Sequence, residues 1–270
     1  MSERYLECIS GVELERLQAQ HNAWLPETLS LLKDAGFSSC RKVLEVGCGP
    51  GFTTLEIASS ISPSAAVTAV DVSLYYLNHL RREVNGRGLS NVTVVEENLM
   101  EQLPSLGEHD AAFCRWFLAW VTRELDCAIA NVHRSLRAGG VFAAMEYLTL
   151  RSTCHSPPCS ALPDYIQSWE NFYRDCGGTT EMGSFLPKKL LQHGFEILDI
   201  RCVGGYAPKG HRLFNWWHRL FEDFHQRFQE KGLLGSDSIE SLKSFWRECD
   251  RSSNAFIYSP ILLQVIARKK

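Results

Sequence analysis

The chain lacks the features of several large protein classes. Its 270 residues include no apolar run near the roughly 18 positions that a membrane span requires. No apolar stretch follows the charged start Met1–Arg4, so we expect no secretory signal. The 28 basic and 31 acidic residues leave a net charge of −3, which provides no basic surface for nucleic acid or an acidic membrane. We therefore expect a cytosolic protein, monomeric or homodimeric, that binds neither nucleic acid nor membrane.

The cysteines, although ten in number, form no recognisable metal or redox motif. There is no C-x-x-C pair. The group that most resembles a set of metal ligands is Cys154, His155, Cys159 and Cys176, and its spacing fits no common zinc site. Histidines recur every seven residues at 211, 218 and 225, but seven helical residues rise about 10.5 Å, too far to share one ion. We predict reduced thiols and no bound metal.

The most informative segment is an apolar strand that ends in three closely spaced glycines. Residues 43–51 read V-L-E-V-G-C-G-P-G, and a helical stretch follows at 53–60. Glycines allow a tight turn and a close approach to a ligand because they carry no Cβ, and amides at a helix start favour polar or anionic groups. Asp71 ends the next apolar run, 20 residues beyond Gly51, where an acid can meet ribose hydroxyls. These features predict a nucleoside-containing ligand.

Short apolar runs alternate with amphipathic stretches over much of the chain, which predicts an α/β fold. Five of these runs are predicted strands, at 41–46, 66–71, 92–96, 110–114 and 141–147. The alternation favours parallel strands with helices on both faces, and a ligand site beyond their C-terminal ends. The N-terminal segment predicts two helices that separate at Pro26.

The C-terminal part departs from this alternation. Apolar runs at 196–203 and 257–268 are predicted strands, yet about 53 positions separate them. Between them, a broad apolar stripe from Leu213 to Phe228 predicts one helix, and 239–249 predicts another. A further helix is predicted at 164–176. We expect these helices to pack together as a cap over the ligand site.

The segment from Val43 to Tyr147 resembles the class I S-adenosylmethionine-dependent methyltransferases. Their first cofactor motif is V-L-E/D-x-G-C-G-x-G, whereas a dinucleotide fingerprint would be G-x-G-x-x-G. A nicotinamide-dependent oxidoreductase is therefore the weaker interpretation. The resemblance implies S-adenosyl-L-methionine as the cofactor, with the glycine loop around its methionine part.

The resemblance also implies which residues hold the cofactor. Asp71 matches the acid that holds the ribose hydroxyls, and Asn98 stands where an Asp usually meets the adenine amino group. An amide oxygen can accept that hydrogen bond as well. The full set implied is Glu45, Gly47, Cys48, Gly49, Gly51, Asp71, Val72, Asn98, Leu99, Cys114 and Arg115, with Tyr5 and Gln20 from the N-terminal segment.

Three short strings resemble the bacterial-type small-molecule methyltransferases in particular. They are E-x-x-R-L-x-x-Q at 13–20, Glu146-Tyr147, and M-G-x-x-L-P at 182–187. This likeness implies that the N-terminal helices close over the cofactor. A solvated helix face carrying Arg16 and Gln20 is an equally open interpretation.

The resemblance completes the predicted architecture. It implies a Rossmann-like, doubly wound sheet of seven strands with an antiparallel C-terminal hairpin, which a helical cap insertion opens in this chain. The predicted organisation is an N-terminal and cofactor-binding part at 1–150, a cap at 151–182 and 205–256, and completion of the sheet by 183–204 and 257–270.

Methyl transfer needs alignment of the acceptor and, for many acceptors, a general base. Glu146 ends the fifth predicted strand and His155 follows in a loop, so both are candidate catalytic residues, although a structural role is open for each. His211, Trp217 and Phe221 lie on the predicted aromatic helix and are candidate acceptor-pocket residues. Packing in the core is the competing interpretation of this aromatic stripe.

The leading hypothesis is a methyltransferase for a small, partly apolar molecule of secondary or specialised metabolism, with the O-, N- or C-acceptor open. The alternative is a protein of the same fold that binds S-adenosylmethionine but catalyses a cyclisation or rearrangement, or regulates a partner.

Overall fold

The computed structural model describes residues 11–102 and 106–270. Its helices are α1 (Gly11–Asp34), α2 (Phe52–Ser60), α3 (Leu74–Gly86), α4 (Leu125–Ser135), α5 (Leu162–Asp175), α6 (Met182–Gln192), α7 (Arg212–Glu230) and α8 (Ser236–Arg251). Its strands are β1 (Lys42–Val46), β2 (Ala66–Asp71), β3 (Val92–Glu96), β4 (His109–Arg115), β5 (Leu136–Thr149), β6 (Cys154–Ser156), β7 (Phe195–Val203), β8 (Tyr206–Pro208), β9 (Phe256–Tyr258) and β10 (Ile261–Lys269). Short 3₁₀ turns lie at Phe37–Ser39 and Leu118–Trp120.

Seven strands form one mixed sheet in the order β3-β2-β1-β4-β5-β10-β7. The first five are parallel, whereas β10 runs antiparallel to both of its neighbours, β5 and β7. This arrangement confirms the predicted doubly wound sheet with an antiparallel C-terminal pair. The chain order reverses between β1 and β4, so the crevice at their C-terminal ends is where an open α/β sheet binds its ligand.

Helix α1 runs without interruption through Pro26. The predicted break at this proline is therefore wrong. Trp24 and Leu31, on either side of it, are completely buried in the core, and this packing keeps the two halves of the segment in one helix. The same helix packs against α7, so the N-terminal segment joins the sheet to the insertion.

The insertion between β7 and β10 contains more than helices. The predicted strand at 257–268 is divided at Ser259-Pro260, and its first part, β9, leaves the main sheet to pair with β6 and β8 in a second sheet of three strands. Buried residues of the main sheet and of α5, α7 and α8 belong to one continuous apolar cluster. The insertion is therefore packed onto the sheet through a core that the two share.

In the part of the chain that the structure describes, no helix combines the length and apolar character that crossing a bilayer would need.

Candidate functional site

The glycine loop connects β1 to α2 by left-handed backbone. Gly49 has φ of 53° and Gly51 has φ of 83°, a region that residues with a side chain rarely adopt. A Cβ added at Gly51 would lie 2.2 Å from Cδ1 of Leu80, whereas one added at Gly49 would meet nothing within 4 Å. Gly51 is thus required for packing of the loop against α3. Gly49 instead presents its backbone to open space.

Two buried acids flank this loop. The Asp71 carboxyl accepts hydrogen bonds from the backbone N–H groups of Gly49 and Ser73, both at 2.9 Å. Glu45 accepts a bond of 2.5 Å from the Thr54 hydroxyl. Burial raises the pKa of Asp71, and it raises the pKa of Glu45 to about 7 against the lowering effect of Thr54. Both acids are therefore fixed in position and retain lone pairs for further donors.

Two cavities meet at this loop. The larger encloses about 1230 Å³ of empty space and the smaller about 240 Å³, and both figures include space that is open to solvent. Gly47, Asp71 and Phe117 line both of them. The smaller cavity is completed by Val72, Glu97, Asn98, Leu99 and Met100. A ligand that spans both cavities would pass directly over Asp71.

Arg115 places a fixed cation in the larger cavity. Its guanidinium donates to the Thr28 hydroxyl at 2.7 Å and to Nδ1 of His21 at 3.1 Å. Burial, with a contribution from Arg115, lowers the pKa of His21 to about 3, so this ring is neutral and accepts the bond. Burial also lowers the pKa of Arg115 to about 10, which still leaves it charged at neutral pH. Arg115 thus provides a positive charge, and Glu45 an ionisable acid, in the same cavity.

Part of the larger cavity is lined by aromatic rings, most of which pack against one another. The rings are Trp116, Trp120, Tyr147, Trp169, Phe172, Tyr173, Trp217 and Phe224. They come from the loop after β4, from β5, and from helices α5 and α7. We refer to the part of the cavity that these rings line as the aromatic chamber. The larger cavity is also lined by three leucines, Leu17, Leu150 and Leu220, and by the polar residues Glu13, Arg16, Gln20 and Arg227.

The loop after β4 holds an unusual backbone conformation. Trp116 has φ of 52°, and no other residue with a side chain has a left-handed φ among those that the structure describes. The Glu146 carboxyl lies behind this loop, where it accepts the N–H groups of Leu118 at 2.8 Å and Ala119 at 3.3 Å. Strained backbone of this kind persists only where its surroundings hold it. Glu146 is one of the groups that hold Trp116 toward the chamber.

The structure brings most of the predicted cofactor residues to the two cavities. Gln20, Glu45, Gly47, Cys48, Gly49, Asp71 and Arg115 line the larger cavity, and Val72, Asn98 and Leu99 line the smaller. Gly51 and Cys114 line neither, because Gly51 packs on Leu80 and Cys114 lies inside β4. Tyr5 lies outside the described residues. Arg16 is 9% exposed and bound to Glu13, so a solvated helix face is wrong for this residue.

Four of the predicted catalytic and pocket residues lie outside the cavity lining: Glu146, His155, His211 and Phe221. His155 is buried in β6, where its Nε2 accepts a bond from Nε1 of Trp217 at 2.9 Å and its ring stacks on Phe245. Burial lowers the pKa of His155 to about 3. His211 accepts the N–H of Leu213 at the start of α7. Trp217 alone of the predicted pocket residues lines the chamber.

Sequence reasoning missed several chamber residues. Tyr147 follows Glu146 in β5, and successive residues of a strand point to opposite sides, so only one of the two can face the chamber. The structure places Tyr147 there. Trp169 and Phe172 lie on α5, which was predicted as part of the cap without named pocket residues. Their three-residue spacing on one helical face was the available signal.

Comparison with known proteins agrees with this geometry. A family model described as a methyltransferase domain matches residues 43–140. The chain is 28% identical over 177 residues to an uncharacterized methyltransferase of Synechocystis sp., covering 63% of this chain and 79% of that protein. It spans only 41–56% of the length of seven further curated relatives that it matches.

Solved structures share the fold. A proposed methyltransferase of Bacillus halodurans superposes with a TM-score of 0.61 at 17% identity, covering 89% of this chain and 97% of that one. A geranyl diphosphate methyltransferase in complex with S-adenosylmethionine superposes with a TM-score of 0.55 at 16% identity, covering 96% of this chain and 86% of that one.

Proposed function

We propose that this chain, which belongs to the class I S-adenosylmethionine-dependent methyltransferases, transfers a methyl group to a small, partly apolar acceptor held in the aromatic chamber. The observation that carries the proposal is the meeting of two cavities at Gly47 and Asp71. The larger cavity has the chemistry to hold the cofactor's methionine part, and it continues into the aromatic chamber, which has room for a second molecule.

The residues present fit the cofactor. In this proposal, Asp71 holds the ribose hydroxyls and the smaller cavity beside Asn98 and Leu99 holds the adenine. Glu45 and Arg115 then face the amino and carboxylate groups of the methionine part, since an acid and a cation suit those charges. The open space beside Gly49 leaves room for the cofactor to lie against the loop backbone.

Bound S-adenosylmethionine supplies an electrophilic methyl group on a positively charged sulfur. The protein's part is then to align an acceptor and exclude water, and the aromatic rings of the chamber can do both. Among the described residues, no histidine lines the larger cavity, and neither Glu146 nor His155 does. We therefore propose that the rate depends on alignment of an acceptor that is already ionised, and not on proton removal by these two residues.

The wider context belongs to the same proposal. We propose a cytosolic enzyme of specialised metabolism. We also propose that segments 151–182 and 205–256 act as the cap, because Trp169, Phe172, Trp217 and Phe224 line the chamber from these segments.

The proposal is tested by incubating the protein with S-adenosylmethionine and a panel of small ring-bearing acceptors. We expect S-adenosylhomocysteine to form together with an equal amount of a methylated product. In that product, one methyl group replaces a hydrogen of the acceptor. A product of unchanged mass, with the cofactor intact, would instead favour the cyclisation or rearrangement alternative.

A further inference from the structure

We infer that His21 and Thr28 of helix α1 are positioning residues, which hold the Arg115 guanidinium ready for the carboxylate of the cofactor's methionine part. This inference rests on the proposed function and deepens it, because it gives α1 a share in recognising the amino-acid part of the cofactor. It depends on the orientation of the two acceptors, on the attachment of His21 to α2, and on the charge that both contacts leave on Arg115.

The two acceptors on α1 are oriented by their own bonding. The Thr28 hydroxyl donates its hydrogen to the carbonyl of Trp24 at 2.8 Å, so its lone pairs are left for Nη1 of Arg115 at 2.7 Å. A guanidinium has no acceptor atom, so Nδ1 of His21 accepts the bond from Nη2 at 3.1 Å, and the ring proton lies on Nε2. Both contacts therefore run from the cation to a neutral acceptor.

His21 connects Arg115 to the helix that follows the glycine loop. Its Nε2 lies 3.8 Å from Oε1 of Glu56, and its ring centroid lies 5.8 Å from that of Phe52, both on α2. Burial lowers the pKa of His21 to about 3, and the charge of Arg115 adds to this lowering. The imidazole is therefore neutral at physiological pH, and it orients the guanidinium without repelling it.

These contacts orient Arg115 but do not cancel its charge. Within the described part of the chain, Arg115 forms no ion pair with a carboxylate, and Glu45 acts on its charge from elsewhere in the same cavity. Its guanidinium also lies 5.1 Å from the ring centroid of Trp116, which is within the range of a cation–π contact. The bonds to α1 use one N–H of each terminal nitrogen, so further N–H groups can bind a carboxylate in the cavity.

Other arginines that join separate parts of this fold are bound differently. Three of them pair with an acid: Arg212 with Glu27, Arg201 with Asp34 and Arg137 with Asp110. An arginine that only tied α1 to β4 would be expected to do the same, since a charge in the interior is normally paired. A hydroxyl and a neutral imidazole instead leave the positive charge of Arg115 for an anionic group of a ligand.

Two ligands that differ in a single group test the inference. S-adenosylhomocysteine carries the carboxylate, and its decarboxylated analogue has the same nucleoside, thioether and amine with a hydrogen in that place. Calorimetry measures the affinity of the full chain for each ligand, and urea unfolding shows whether each variant is folded. The ratio of the two affinities reports on the carboxylate alone, so a general effect on the fold does not change it.

Four variants complete the experiment. His21→Leu removes the acceptor at Nδ1, and Thr28→Val removes the hydroxyl but keeps the shape of the side chain. His21→Asn is the rescue variant, because its Oδ1 can take the place of Nδ1 as an acceptor. His109→Leu is the matched control, because His109 is also buried and bonded, to Ser135 and Thr68, but lies outside both cavities.

We expect wild type to bind S-adenosylhomocysteine at least about tenfold more tightly than the decarboxylated analogue. His21→Leu and Thr28→Val should each weaken S-adenosylhomocysteine by about five- to tenfold and leave the analogue within about twofold. His21→Asn should bind S-adenosylhomocysteine within about threefold of wild type. His109→Leu should leave the ratio of the two affinities unchanged.

The inference is overturned if His21→Leu or Thr28→Val weakens both ligands equally, since the residue would then serve the fold alone, or if either variant weakens neither ligand. A folded His21→Asn that binds no better than His21→Leu also overturns it. If His21→Leu does not fold, Thr28→Val provides the same comparison. Equal binding of both ligands to wild type rejects the inference and leaves the proposed function standing. Failure of S-adenosylhomocysteine to bind wild type would overturn the proposed function itself.

Discussion

The buried carboxyl of Glu146 accepts the backbone N–H of Leu118 at 2.8 Å, and it thereby ties the end of β5 to the loop that follows β4. That loop carries Trp116 in a left-handed conformation and delivers it to the aromatic chamber. We therefore propose that the acid is a positioning residue, whose effect on an acceptor would be transmitted through the backbone.

The first prediction concerns Glu146→Gln. An amide keeps one acceptor oxygen but presents an NH₂ group to backbone donors, so the free energy of unfolding should fall by about 1–3 kcal/mol. Turnover should fall by less than the roughly 10²–10⁴-fold expected for loss of a general base, with the acceptor KM raised. Steady-state kinetics and urea unfolding measure both quantities.

The pH dependence of the free energy of unfolding provides the control for the Glu146→Gln variant. Burial raises its pKa from 4.5 to about 8, against the lowering effect of the Leu118 and Ala119 N–H groups. The folded protein thus holds a proton that the unfolded chain releases, and this stabilisation disappears as the pH rises from about 4.5 to 8. The stability difference between wild type and Glu146→Gln should be larger at pH 5 than at pH 8.5. A pH-independent difference would contradict this account.

The second prediction concerns His155→Gln. The pKa of His155 is lowered from 6.5 to about 3, so the unfolded chain binds a proton that the folded protein does not. This histidine's contribution to stability is complete above pH 6.5 and decreases as the pH falls toward 3. Between pH 7 and 5, wild type should lose about 2 kcal/mol relative to the variant. Turnover of the variant should stay near normal at pH 7. A loss of about 10²-fold or more in a variant that still folds would instead support His155 as a general base.

The third prediction separates two glycines by their surroundings. Gly49→Ala and Gly51→Ala both carry the cost of left-handed backbone, about 1–2 kcal/mol. Only Gly51→Ala also overlaps a neighbour, Leu80, so it should be the less stable variant by about another 1–3 kcal/mol. Gly49→Ala should be the weaker binder of S-adenosylhomocysteine, because its Cβ enters the open cavity. Thermal unfolding compares the stabilities of the two variants, and calorimetry compares their affinities for S-adenosylhomocysteine. The reverse ranking of the two variants in either measurement would contradict the proposed site.

The fourth prediction concerns Arg115→Gln. If Arg115 faces the methionine carboxylate, the variant should lose about tenfold or more in affinity for S-adenosylhomocysteine. Methylthioadenosine has the same nucleoside but no amino-acid part, so its affinity should not change. Calorimetry with both ligands separates this role from a general effect on the fold. Equal weakening of the two ligands would show that Arg115 acts through its bonds to Thr28 and His21 instead.

The glycine loop and Asp71 could be predicted from the sequence because each depends on local chain geometry. A strand followed by a glycine turn and a helix is specified within ten residues, and the acid at the end of the next parallel strand follows from the alternation of strands and helices. The structure confirms the strands at 66–71 and 92–96 without a shift.

The chamber could not be predicted in the same way, because it depends on long-range packing. A shift of one residue in a strand reverses the side to which a side chain points, and this separates Glu146 from Tyr147. His155 is polar and lies in a segment rich in Ser, Pro and Cys, yet packing against Trp217 and Phe245 buries it. Neither outcome can be read from the local sequence, since Glu146 binds Leu118, 28 positions away, and His155 binds Trp217, 62 positions away.

Binding of S-adenosylhomocysteine to wild type and to Asp71→Asn, measured by calorimetry, tests the central claim most directly. Asp110→Asn is the matched control, because Asp110 also accepts two backbone N–H bonds, from Arg41 and Lys42, but lies outside both cavities. We predict micromolar binding to wild type and to Asp110→Asn, a loss of about 1.5–3 kcal/mol in Asp71→Asn, and no comparable binding of NAD. Tight binding of NAD, or affinity for S-adenosylhomocysteine that is unchanged in Asp71→Asn, would contradict the account.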